Sequence, residues 1–222
     1  MSKKNLLRLL KSEFEMIYTE LYKNGYILEH RAFSHKVTGK NDFELTWSNR
    51  SPEANITFDL SLGIETIIQI LLRHQQFSLL FYDKSILQVE YKIRDNKIIK
   101  QRMQFIKKSS TVKTLEELQE LEGDVSEVEG NGWFDEETGI PILLRVDYDP
   151  DNHTELVHSR SHFVISNLKD CRIPMNRNLT LVKFVQLILN QVYNNYEINL
   201  RDIVQHDDEI TKIEKGSLHI NS

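Results

Sequence analysis

The segment SILQVEYKIRDNKIIKQRMQFI, residues 85–106, decides what kind of fold this chain can form. Leu87, Val89, Tyr91 and Ile93 alternate with polar residues, the period of a strand with one buried face. Asp95–Asn96 then supplies a two-residue turn, and a second strand follows through Ile99 to Ile106. Two strands joined this tightly pair antiparallel, so an antiparallel sheet is expected at the centre of the fold.

Upstream, Leu6, Leu7, Leu10, Phe14, Ile17, Leu21 and Tyr22 recur at helical spacing until Asn24–Gly25 stops them. Residues 27–48 alternate around TGKND and predict a hairpin of two strands. NITFDL, residues 55–60, alternates like a strand, whereas Ile64, Ile67, Ile68, Leu71 and Leu72 predict a helix ending near His74. The apolar run 77–82 fits either strand or helix. Downstream, Thr114 and Glu117 stand at capping-box spacing for a short helix that Gly123 can end. Strands follow over Ile142–Tyr148 and SHFVISNL. A second strong helix carries Leu181, Phe184, Val185, Ile188, Leu189 and Val192 on one stripe. The expected fold is α+β: a mostly antiparallel central sheet flanked by N-terminal and C-terminal helices. Residues 1–200 form its single domain, and 201–222 a polar, loosely ordered tail.

A chain of 222 residues can bury a sizeable core without staples, so neither a disulfide nor a structural metal is needed for folding. The single cysteine, Cys171, excludes an internal disulfide and fits a reducing compartment. Glu13, Glu15 and Glu20 interrupt the N-terminal leucines, so that segment does not read as a secretion signal, and no apolar run is long enough to span a membrane. A cytoplasmic location with no membrane partner is expected. The net charge of −5 argues against non-specific coating of nucleic acid, which needs a basic face. Charge is uneven, however. Residues 91–108 hold seven Lys or Arg against one Asp, whereas 116–137 are strongly acidic. The two segments can neutralise each other, or the basic one can form a local groove for nucleic acid. No Gly-rich phosphate loop, dinucleotide fingerprint, His-Glu-x-x-His or Gly-x-Ser-x-Gly occurs, which removes the main support for the common nucleotide-hydrolysing, dehydrogenase and esterase classes.

Reactive side chains concentrate in LLRVDYDP, residues 143–150, and HSRSHFVISNLKDCRIP, residues 158–174. The short gap between them predicts a hairpin. Arg145, Asp147 and Asp149 then share one face of the first strand, and His158, Arg160 and His162 one face of the second. If both rows point the same way, one surface displays two acids, two arginines and two imidazoles. Such a surface can act on phosphate esters, with His158 or His162 as general acid and base, Arg160 and Arg172 as phosphate clamps and Asp147 beside them. No cofactor is required, although Asp147 and Asp149 with a histidine could hold a divalent ion. The same residues can equally be cross-strand ion pairs, with Asp149–Pro150 only starting a turn. Cys171 reads as a small buried apolar side chain rather than a nucleophile. Tyr18, Tyr22 and Tyr26 read as helix packing rather than base-stacking platforms.

These residues also carry a resemblance. Asp147-x-Asp149-Pro150, His158-x-x-Ser161-His162 and Cys171-Arg172-Ile173-Pro174, followed by an apolar helix, resemble the C-terminal signature of a bacterial family of unknown function. The chain departs from that pattern at Ser159, where the family has proline, and at NLTL, where it has a proline-rich helix start. Asn178 or Thr180 must therefore cap this helix. The resemblance implies a bacterial origin and a place among accessory genes of phage-defence or toxin-like systems, and it assigns no activity. The function expected is an accessory component acting through a protein partner from a neighbouring gene, with RNA or single-stranded DNA as a further ligand. The alternative is a small ribonuclease or phosphodiesterase using the His/Arg strand.

Overall fold

Turn chemistry sets the sheet. Asp95 and Asn96 both take positive φ, 47° and 62°, as a two-residue primed turn requires, and these side chains tolerate that region better than most. In the computed structural model they join β5 (Ile86–Arg94) to β6 (Lys97–Lys107), paired from Arg94↔Lys97 to Ile86↔Ile106 with a one-residue shift between Lys92 and Ile93. The structure describes residues 6–59, 61–108, 111–112, 134–135, 141–165, 171–204, 210–216 and 220. The short helix expected near Thr114 and the acidic segment 116–137, apart from 134–135, lie outside them.

Around that hairpin run β1 (Ile27–His30), β2 (Phe33–Gly39), β3 (Asp42–Trp47) and β4 (Leu79–Phe81). After β6 come β7 (Thr111–Val112) and β8 (Phe134–Asp135), a separate ladder, then β9 (Ile142–Tyr148), β10 (Ser161–Ile165) and β11 (Ile173–Pro174). Among the described residues the main sheet has nine strands in the order β1-β4-β5-β6-β9-β10-β11, with β3 also paired to β5 and β2 outside β3. Its ladders are antiparallel throughout. With α1 (Leu6–Lys23), α2 (Ile64–Arg73) and α3 (Leu181–Val192), this is an α+β fold. Among the described residues no helix is long and apolar enough to cross a membrane.

The two sheet faces differ. Leu87, Val89, Tyr91, Met103, Phe105, Val146 and Phe163 bury one face under α1 and α3, which contribute Phe14, Ile17, Leu21, Phe184, Val185 and Ile188. The other face is apolar at one end only, where Ile86 and Ile106 meet Ile67, Ile68 and Leu71 of α2. Beyond that end the same strand positions turn polar, as Gln88, Glu90, Lys92 and Lys100, Arg102, Gln104. This polar half positions the candidate site.

Two local expectations change and one open reading is settled. Residues 52–58 form a 3-10 helix rather than the start of a strand, because Pro52 occupies its first turn and pre-sets helical φ. The segment 27–48 holds three strands, since β1 leaves the β2–β3 hairpin to pair with β4. The ambiguous run 77–82 contains strand β4. Thr180 is the cap of α3, accepting from the Lys183 amide at 3.3 Å.

The segment expected as a loose tail is docked where it is described. Ile220 exchanges backbone hydrogen bonds with Pro174 and Asn176, and buried Glu214 meets His153 at 3.2 Å. The Val204 amide donates to Glu13 at 3.3 Å. Glu13 is 1 % exposed, and burial pushes its carboxyl from an ordinary 4.5 up to about 7, against the backbone donors of Val204 and Ile203. Between those values the unfolded chain has released its proton while the folded chain keeps it. Stability therefore falls as pH rises from about 4.5 to 7, by ~3 kcal/mol at most. Glu13→Gln removes that titration. Its melting temperature should exceed wild type at pH 8 and match it near pH 4; an equal gain at both pH values would assign the effect to something else.

Candidate functional site

Register assembles the site. Glu90 of β5 faces Arg102 of β6, Arg102 faces Asp147 of β9, and Asp147 faces His162 of β10. All four side chains stand on the polar half-face, two residues from Lys100 along β6 and from Arg145 along β9. Asp147 is the hub. Arg102 donates from Nε to Oδ1 at 2.8 Å, and Arg145 Nε lies 2.7 Å from Oδ2. Phe58, at the end of the 3-10 helix, covers both guanidinium groups, 4.4 Å from Arg102 and 5.0 Å from Arg145. Burial works against the Asp147 anion, yet the two arginines outweigh it and hold its carboxyl below the usual range. Next to it, Asp149 takes Lys100 Nζ at 2.6 Å and Asn152 Nδ2 at 2.8 Å.

His162 is 2 % exposed. Its Nδ1 lies 3.1 Å from the Ser159 carbonyl, an acceptor only, so that nitrogen carries the proton. The neutral ring thus presents an unprotonated Nε2 to Asp147 Oδ2 at 3.7 Å, beyond hydrogen-bond reach. Burial lowers the pKa of His162 and outweighs the pull of Asp147, which keeps the ring neutral near pH 7. His158 stacks edge-on against it at 4.8 Å, with its own Nδ1 buried and unbonded among the described residues.

The structure therefore gathers Asp147, Asp149, His158 and His162. Arg172 lies near enough for its charge to weigh on His162 and Arg145. It differs from expectation in one respect: β10 starts at Ser161, so His158 and Arg160 precede the strand instead of extending its row. His158 closes a turn on Thr154 through paired backbone bonds of 2.9 and 2.7 Å, and the Arg160 carbonyl accepts from the Asp149 amide at 2.8 Å. Cys171 is a half-buried free thiol. Asp147 and Asp149 each face cationic nitrogen, so a divalent ion on them would have to displace an arginine or a lysine. Among the described residues no three His, Cys, Asp or Glu side chains gather as metal ligands. Within the basic run 91–108, Lys92 pairs with Glu44, Arg94 with Asp42 and Lys107 with Asp83, none of these acids lying in the acidic segment 116–137.

The conserved-protein model described as "Uncharacterized conserved protein (DUF2290)" matches residues 27–222. The chain belongs to that family. The DUF2290 match begins at the first residue of β1, leaves out α1, and takes in the whole Asp147 network. No curated protein and no solved structure matches the chain.

Proposed function

We propose that this protein is a binding component of a bacterial phage-defence or toxin-like system, acting through a protein partner encoded nearby. The bacterial setting rests on the sequence resemblance. The observation that carries binding over cleavage is the closed state of the histidine: His162 is 2 % exposed, and its one basic nitrogen points into Asp147. A general base needs that lone pair within reach of a substrate proton.

A surface for the partner lies beside the network. The tight turn Thr154–His158 holds Leu156 at φ 63° and leaves Leu156 and Val157 60 % and 69 % exposed. A branched side chain held in the left-handed region costs free energy, and two large apolar side chains at the tip of a hydrogen-bonded turn suit burial by another protein. Leu156→Asp should abolish co-purification with the product of the adjacent gene while leaving the melting temperature within a few degrees of wild type. Retained co-purification would remove the tip from the interface. The ribonuclease reading predicts instead that labelled RNA is cut by the wild-type protein and spared by His162→Ala.

A further inference from the structure

Independently of the partner, we infer that the hollow between β3, β5 and β6 is a binding site for a small phosphomonoester. It encloses about 220 Å³ and is lined by Arg50, Lys92, Lys100, Arg102, Glu44 and Glu90. Strand alternation turns Lys92 and Lys100 toward it from directly opposed positions, with Arg102 two residues along β6. Arg50, just past β3, reaches over to Glu90 at 3.0 Å.

Three features of this lining point to an anion. Four cations meet two carboxylates around one concavity. Lys92 and Lys100 stand directly opposed across the ladder, held by Glu44 at 3.1 Å and by Asp149 at 2.6 Å, so a dianion seated between them would take the place of both carboxylates at once. Finally, the acids that neutralise two of these cations stand outside the lining: Asp149 holds Lys100 at 2.6 Å, and Asp147 holds Arg102 at 2.8 Å. Arg102 donates to Asp147 from Nε, which among the described residues leaves the ends of its donor fork available to a second acceptor. Lys92 is 54 % exposed and its partner Glu44 41 %, so that ion pair contributes little and opposes an incoming anion only weakly; Lys100, at 38 %, is held by the more covered Asp149. The volume is below the ~300 Å³ at which drug-sized ligand pockets begin, which fits a phosphoryl group carrying a body no larger than a sugar ring.

The test is calorimetric titration of the full chain at constant ionic strength with inorganic phosphate, ribose 5-phosphate and sodium chloride. Saturable binding of ribose 5-phosphate is expected at least tenfold tighter than inorganic phosphate, with no saturable chloride signal. Lys92→Gln and Lys100→Gln should each weaken it fivefold or more without lowering the melting temperature. Lys36→Gln, an equal charge change on exposed β2, should leave it unaltered. Equal affinity for both phosphates would reduce the site to one for free phosphate. Absence of saturable binding, or equal weakening by Lys36→Gln, would overturn the proposal. Partner capture through Leu156 is unaffected by either result.

Discussion

Asp147→Ala should lower unfolding stability by ~3–5 kcal/mol, the range for breaking a buried ion pair from one side. Asp147 is 7 % exposed and shared by Arg102 and Arg145, so its removal leaves two covered guanidinium groups with no anion between them. Asp147→Asn should fall close to the same value, because the amide keeps the shape and loses the charge. The pH dependence fixes the cause. A carboxyl held below its ordinary value contributes stability that is present above pH ~4 and lost as pH falls through the folded value. The gap between wild type and Asp147→Ala, read as a urea midpoint, should therefore be full at pH 7 and shrink below pH 4. A gap constant down to pH 2 would mean that packing, not charge, is what the substitution removes.

The second large effect lies on the opposite face. Lys107 Nζ meets Asp83 Oδ2 at 2.8 Å, with 6 % and 1 % of the two side chains exposed. Tyr193 donates its hydroxyl to the same carboxylate at 3.1 Å, and the Ser85 amide donates at 3.0 Å. Lys107→Ala strands Asp83 as a buried charge and should cost ~3–5 kcal/mol, lowering the melting temperature by about 10 °C in a domain of this size. The double variant Asp83→Asn/Lys107→Met should recover more than half of that loss, since removing both charges removes the stranded one. A double variant less stable than Lys107→Ala alone would show that the pair itself contributes net stability.

What could be read from the sequence follows the range of the interactions involved. The β5–β6 hairpin is legible because its alternation and its Asp95–Asn96 turn are adjacent in the chain. So is the facing of Asp147 and His162, since β9 and β10 are close in sequence. Arg102 is not legible as their partner. The β6–β9 ladder skips more than thirty residues, and only that register sets Arg102 opposite Asp147 and closes Phe58 over both arginines. The basic composition of 91–108 includes Arg102 but does not single it out. His158 misled because alternation alone cannot separate a strand from an extended turn, and the backbone bonds to Thr154 decide the matter. Pro52 is the sequence signal for the 3-10 helix, and it competes with the strand-like alternation of residues 55–60.

The role proposed for the His162–Asp147 network is closed architecture for binding rather than catalysis. Its most direct test is cleavage of end-labelled RNA by wild-type protein and His162→Ala side by side, each checked by thermal melt. The proposed binding role predicts no cleavage above background by either protein, and the buried ring of His162 predicts a lower melting temperature for His162→Ala. Cleavage by the wild type that disappears in His162→Ala at an unchanged melting temperature would contradict it and make His162 catalytic.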